Sequence, residues 1–262
     1  MAVGAKKGKR MFIRVVFLLG LFLAVFSARG LFLNWRADLE ARTEYVELRN
    51  LSAMAQAHPD PAPPPDPGAD PNSSEPIVTQ THPLVDINPD FVGWIYISGT
   101  RVDYPVVRGS DNEAYLYTTF RGESNAAGSI FMDYRALGDF STPVTILYGH
   151  NMRDGSMFSS LLQFLDPTFR NNHPEITIVT AQMETLVYRI IYARHAGAFD
   201  SVYSLDFNDS EAAALHFGIS PTEARHFLVL STCGDGRDRN ARVVVYAMLI
   251  EEGSGITEQN QT

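Results

Sequence analysis

Between Trp94 and Leu249 the chain falls into eight short runs rich in β-branched and aromatic residues, none longer than eight residues. They are Trp94–Ser98, Arg101–Val107, Gly128–Met132, Val144–Tyr148, Ile176–Thr180, Thr185–Tyr192, Phe227–Ser231 and Arg242–Leu249. Such residues fit a pleated, half-buried surface, and Gly99-Thr100 between the first two runs marks a tight turn. Helix-forming stretches are confined to the connections: a turn near Asn112–Tyr117, a helix around Ser156–Leu165, and another around Ser210–Phe217. Asp209 or Ser210 supplies the N-cap of the last one. Eight strands with only short helices between them predict a mainly β domain built as a closed or nearly closed β-barrel.

What precedes the β-rich region has other compositions. Residues 1–10 are basic, and Met11–Leu33 is a mostly apolar segment with Arg14 and Arg29 near its ends. About 20 apolar residues span a bilayer core, and arginines near the ends reach back to the headgroups. The cluster Lys6, Lys7, Lys9 and Arg10 places the N-terminus in the cytoplasm and the body outside, as a single-pass membrane protein. The uncharged core Val15–Ala28 also suits a cleaved signal peptide, with small Ser27 and Ala28 near a cleavage point. The apolar run resumes at Leu31–Leu33, which favours a retained anchor. Either reading exports the body, and an exported chain without disulfides fits a bacterial surface better than a eukaryotic secretory route.

Residues 34–57 are rich in helix formers, with Leu39, Val46 and Ala53 seven apart, and read as a helical stalk. Residues 58–76 hold eight of the chain's 15 prolines and read as a semi-extended linker. The globular domain is expected at 77–252, followed by a polar tail at 253–262. Seven of the 21 basic residues precede Ala37, whereas all 30 acidic residues follow Arg36. The rest of the chain is therefore strongly acidic, and with no basic patch carrying interleaved aromatics it is not a nucleic-acid binder.

Cys233 is the single cysteine. Alone it forms no intrachain disulfide and makes a poor metal site, so it is either a small core residue or a nucleophile. His150 and Cys233 each follow a predicted strand, and Arg242 begins a third. If those strands are neighbours, the three side chains meet at one rim of the barrel. Imidazole can then take or share the thiol proton, while guanidinium stabilises charge on a carbonyl oxygen during acyl transfer. Residue types alone leave other readings open: six further histidines compete with His150, and Arg237 and Arg239 with Arg242. No Gly-rich phosphate loop, His-x-x-x-His or Cys-x-x-Cys spacing is present, so no cofactor is implied.

The local sequences narrow the choice. Leu230-Ser-Thr-Cys233, Arg242 leading Val-Val-Val, and Ile146-Leu-Tyr-Gly-His150-Asn-Met-Arg-Asp-Gly-Ser-Met-Phe158 resemble the signature blocks of sortases, the membrane-anchored cysteine transpeptidases of Gram-positive bacteria. Tyr104–Leu116, Gly128–Tyr134 and a helix-bearing insertion at about Tyr203–Arg225 resemble class B in particular. The resemblance covers roughly Asn88 to Leu249. One departure is Val229, where the family commonly has Thr. The position is expected to be a buried strand residue.

The resemblance implies a sortase-type barrel in which Cys233 attacks the Thr carbonyl of a C-terminal sorting signal and forms a thioacyl-enzyme. His150 would act as general acid and then base, and Arg242 would hold the signal and stabilise the oxyanion. An amine of a peptidoglycan precursor or cross-bridge, or a pilin lysine, would release the product. Asn112, Leu116, Tyr148, Ser231 and Thr232 are implied to line the signal groove. Class A relatives bind calcium, but no comparable acidic cluster is present here, and no metal is expected. A cysteine hydrolase using the same three residues and a non-catalytic anchored binding barrel are the alternatives.

Overall fold

The computed structural model describes residues 3–57, 81–223, 225–233 and 240–254. The linker expected at 58–76, Gly234, Arg237, Arg239 and the tail beyond Ser254 lie outside the described residues. The chain forms two compact units, Met1–Glu44 and Tyr45–Thr262.

The expected anchor and stalk are one uninterrupted helix, α1 (Val3–Ala57). Its only interior breaker candidates are glycines, and a single Gly weakens a helix by about 1 kcal/mol without ending it. In the first unit Phe17, Phe22 and Phe26 are exposed, and the helix is long and apolar enough to cross a membrane. In the second unit, Tyr45, Leu48 and Ser52 are buried at the i, i+3, i+7 spacing of one helical face. The seven-residue series Leu39, Val46 and Ala53 falls instead on exposed positions. The packed face is set by residues with partners: Tyr45 crosses Tyr104 edge-on at 5.4 Å, and its hydroxyl donates to the Gly128 carbonyl at 2.6 Å.

The expected barrel is present and closed. Its strands are β1 (Phe91–Tyr96), β2 (Asp103–Val107), β3 (Ile130–Met132), β4 (Val144–Tyr148), β5 (Glu175–Thr180), β6 (Glu184–Gly197), β7 (Phe227–Cys233) and β8 (Ala241–Ser254). The order around the barrel is β1-β2-β3-β4-β7-β8-β6-β5, and β5 pairs back onto β1. All neighbours are antiparallel except β2 with β3 and β4 with β7. A parallel pair needs a crossover connection. Those two crossovers, residues 108–129 and the long excursion from β4 to β7, carry most of the irregular structure.

Among the described residues three short α-helices lie in the connections: α2 (Leu84–Ile87), α3 (Pro167–Asn172) and α4 (Ser210–His216). Asp209 caps α4, its carboxylate accepting from the Ala212 N–H. The helix expected at Ser156–Leu165 is a 3-10 helix over Phe158–Leu165. β6 and β8 are 14 residues each, longer than the expected runs, because they pair with each other through two irregular registers. β8 also continues through Ser254, past the expected domain boundary.

Strand residues alternate between two cores, as a period of two requires. Leu147, Leu228, Leu230, Val245 and Ala247 face the barrel interior. Ile146, Phe227, Val229, Val244 and Tyr246 face outward, where Val202, Ala213 and Ala214 of the β6–β7 connection cover them. Val229 is fully buried, as expected of the position that departs from the sortase pattern. Each such fully buried side chain contributes roughly 1.5–3 kcal/mol of burial free energy. The outer cluster decides where the site lies, because the outward series of β4, β7 and β8 runs on into it.

Candidate active site

Register brings the nominated residues together. Tyr148, the last residue of β4, pairs with Ser231 of β7, and Cys233 at the end of β7 lies directly opposite Arg242 of β8. By alternation Cys233 and Ser231 share the outward face of Phe227 and Val229, and Arg242 shares that of Val244 and Tyr246. Facing cross-strand residues hold their Cβ atoms roughly 4.5–5.5 Å apart, so thiol and guanidinium stem from one rung of the ladder. The Gly149 N–H donates to the Ser231 carbonyl at 3.2 Å, extending the β4–β7 ladder and delivering His150 beside the end of β7. A Cβ at Gly149 would stand 2.5 Å from Ile130 Cδ1 and 2.8 Å from the Phe158 ring, so only glycine lets the backbone through here. The Asn151 amide then donates to the Cys233 carbonyl at 3.1 Å, tying the two strand ends together.

The crossover between β2 and β3 supplies the opposite wall. His150 Nε2 donates to the Leu116 carbonyl at 2.7 Å, since a carbonyl only accepts. The proton on Nε2 leaves Nδ1 as the nitrogen that can exchange one. The Tyr117 ring lies 5.4 Å from the imidazole at an interplanar angle of 31°. Among the described residues no hydrogen bond joins the Cys233 thiol to His150; the two share a cleft.

That cleft encloses about 320 Å³, and every residue nominated from the sequence lines it: Asn112, Leu116, Tyr148, His150, Ser231, Thr232, Cys233 and Arg242. Cys233 is exposed. Arg242 is half-buried, with Nη1 donating to the Ala241 carbonyl at 3.0 Å. Next to the cysteine, Thr232 Oγ1 is buried and has no hydrogen-bond partner among the described residues. Phe131, Ala198 and Tyr203 line the cleft as well and were not nominated. The Tyr203 hydroxyl is 2.9 Å from Ser231 Oγ, and its ring stacks on Tyr148 with centroids 6.2 Å apart. A hint of Tyr203 was present in the sequence, where it opens the insertion that resembles class B.

Beneath the cleft floor lies Asp133, completely buried just after β3. Burial raises its carboxyl pKa, but hydrogen bonds from Arg135, Asn112 and Tyr148 outweigh that effect and hold it below the ordinary carboxylate range. Burial, and then the Asp133 charge, push the Tyr148 hydroxyl well above the usual tyrosine value. Both groups therefore keep one protonation state at neutral pH: carboxylate below, phenol above. A larger, more open hollow of about 630 Å³ borders Arg101, Arg153 and Asp154 and includes none of the nominated residues. No group of three or more His, Cys, Asp or Glu among the described residues is placed to hold a metal ion.

A nucleophile candidate facing an arginine, with a histidine on the adjoining strand end and an outer-face cleft, agrees with what comparison with known proteins gives. The Sortase domain family model matches residues 95–250. The chain belongs to the sortase family. It is 33% identical over 180 residues to sortase B of Listeria monocytogenes, covering 64% of this chain and 72% of that one. It is 28% identical over 252 residues to sortase B of Staphylococcus aureus, covering 92% of this chain and 97% of that one. The Staphylococcus aureus sortase B–substrate complex superposes with a TM-score of 0.66 at 28% identity, over 82% of this chain and 98% of that one. These relatives make it a class B member of the sortase transpeptidases, with an N-terminal apolar helix that is a candidate membrane anchor.

Proposed function

We propose that this sortase cleaves a secreted protein's C-terminal sorting signal after Thr and joins the Thr carbonyl to an amine. The observation that carries this reading is the rung that sets Cys233 opposite Arg242 in the same cleft as His150. The Cys233 sulfur attacks the Thr carbonyl carbon, and the thiol proton passes to His150 Nδ1. Arg242 stabilises the oxyanion that forms, a role suited to a guanidinium in a partly enclosed site. The C–N bond then breaks, the leaving amine takes the proton from His150, and a thioester remains on Cys233. An incoming amine attacks the thioester carbon and loses its proton to His150, the C–S bond breaks as the new amide forms, and the departing Cys233 sulfur takes that proton back from His150. Asn112, Leu116, Tyr148, Ser231 and Thr232 bind the signal. The acceptor is a peptidoglycan amine or a pilin lysine, and α1 anchors the enzyme with its N-terminus in the cytoplasm and the barrel outside.

The test is incubation of labelled Pro-x-Thr signal peptides with and without an added amine. Amide product that depends on the amine supports transpeptidation, while cleavage to free acid regardless of amine supports a hydrolase. Cys233→Ala should abolish both, and unchanged turnover would leave only a binding barrel. Arg242→Lys should lower kcat/KM by about 100-fold, the scale of one lost oxyanion donor. A lysine variant with near wild-type turnover would remove the guanidinium from the mechanism.

A further inference from the structure

Asp133 collects the polar groups of the cleft wall onto one buried carboxylate. Oδ2 accepts from Asn112 Nδ2 at 3.1 Å, the Tyr148 hydroxyl at 3.0 Å and Arg135 Nη2 at 2.8 Å. Oδ1 accepts from Arg135 Nε at 2.8 Å and the Arg135 N–H at 3.1 Å. The Asn112 carbonyl oxygen accepts from the Tyr134 N–H at 3.1 Å, which fixes both ends of its amide. Arg135 Nη2 also reaches the Tyr203 carbonyl at 3.3 Å, linking the carboxylate to the aromatic residue that covers Tyr148.

Burying a paired charge is a poor way to stabilise a fold, because desolvation consumes most of the Coulombic gain. What this pair does achieve is orientation. An Asn amide has four hydrogen-bonding positions, and two are committed by Asp133 and Tyr134. One N–H remains to meet a peptide carbonyl in the cleft. The Tyr148 hydroxyl, having donated to Asp133, keeps its oxygen lone pairs to accept a peptide N–H. Together they present one donor and one acceptor at the wall, which suits the amide groups of an extended peptide.

We propose that Asp133 is a positioning residue for substrate: through Asn112 and Tyr148 it orients the groups that grip the signal's backbone, while taking no part at the thiol. The proposal rests on the reading of the cleft as the signal groove. Asp133→Asn keeps the shape and removes the charge that all three partners are directed to. It should raise KM for a signal peptide about tenfold, the factor expected for about one hydrogen bond's net contribution lost on binding. Its kcat should change less than about threefold, and alkylation of Cys233 by iodoacetamide should keep its rate and pH profile. Asn112→Ala combined with Asp133→Asn should lose little more than either alone, since both break one arrangement.

An Asp133→Asn protein with unchanged KM, where the wild type turns the peptide over, overturns the proposal alone. So does a parallel fall in kcat and alkylation rate, which marks general damage to the site. A wild type that makes no amide from any Pro-x-Thr peptide overturns the signal-groove reading and this proposal with it. Should Asp133→Asn not fold, the pair Asp133→Asn, Arg135→Gln leaves no uncompensated charge. If that also fails to fold, the carboxylate is a folding element and the proposal is wrong.

Discussion

Gly128 shows how one missing Cβ reaches His150, the proton-transfer group of the proposed mechanism. Its φ is +58°, and a Cβ there would stand 2.3 Å from the Leu116 carbonyl oxygen and 2.8 Å from that of Tyr115. The Leu116 carbonyl is the acceptor that fixes the His150 ring. Gly128→Ala must displace that carbonyl, and with it the imidazole. The expected result is a fall in kcat of at least about tenfold and a stability loss of about 1–3 kcal/mol, by steady-state kinetics and thermal unfolding. A variant with wild-type kcat would show that the Leu116 bond does not matter. At this scale the sequence was informative where chemistry and neighbours coincide: Cys233, His150 and Arg242 stand at strand ends in distinctive blocks. Tyr203 and Asp133 were not singled out, because the contacts that tie them to the other cleft residues come from positions 15 or more residues away. Tyr203 meets Ser231 28 residues away, and a lone Asp or Tyr carries no local mark of such a contact.

Element boundaries follow the same division between local and distant causes. β4 was legible to the residue, since a run of β-branched and large apolar residues ends at Gly149, where a Cβ would clash with Ile130 and Phe158. β6 runs on to Gly197 through Ala193-Arg-His-Ala, residues with little strand preference, because β8 supplies the ladder partner. Nor did the pattern reveal that β4 and β7 are parallel neighbours, which only the closed barrel enforces. The docking of α1 carries its own test through His82, fully buried between the helix and the strands. Its Nδ1 accepts from the Leu84 N–H at 3.2 Å, so Nε2 carries the proton beside Ser52 Oγ at 3.2 Å. Burial lowers its pKa to about 4 from an ordinary 6.5. A histidine held neutral in the fold takes up its proton more readily unfolded, so stability is complete above about pH 6.5 and falls as pH drops toward 4. The loss over that window is on the order of 3 kcal/mol. Denaturant midpoints between pH 7 and 4 should fall less in Ser52→Ala, His82→Gln than in the wild type. Parallel pH curves would remove His82 as the sensor.

For the whole molecule, the division between units predicts where the chain can be cut. Met1–Glu44 holds the apolar helix surface suited to a membrane, whereas Tyr45–Thr262 is a compact body of its own. A protein beginning at Tyr45 should therefore keep the unfolding temperature and peptide turnover of the full chain in detergent, yet no longer sediment with phospholipid vesicles. Starting instead at His58 removes Ser52 and two buried hydrophobic side chains, Tyr45 and Leu48, and the lost burial of those two costs about 4 kcal/mol. For a domain of this size that lowers the unfolding temperature by about 10 °C. The cut also removes the Tyr45 hydroxyl bond to the Gly128 carbonyl, and Gly128 packs directly on the Leu116 backbone that holds His150. The shorter protein should thus lose turnover even at temperatures where it stays folded. If the two truncations unfold together and turn over alike, the last turns of α1 contribute nothing to the barrel. If only the shorter one fails, the stalk expected from the sequence is part of the catalytic body, joined to it through Tyr45 and Leu48.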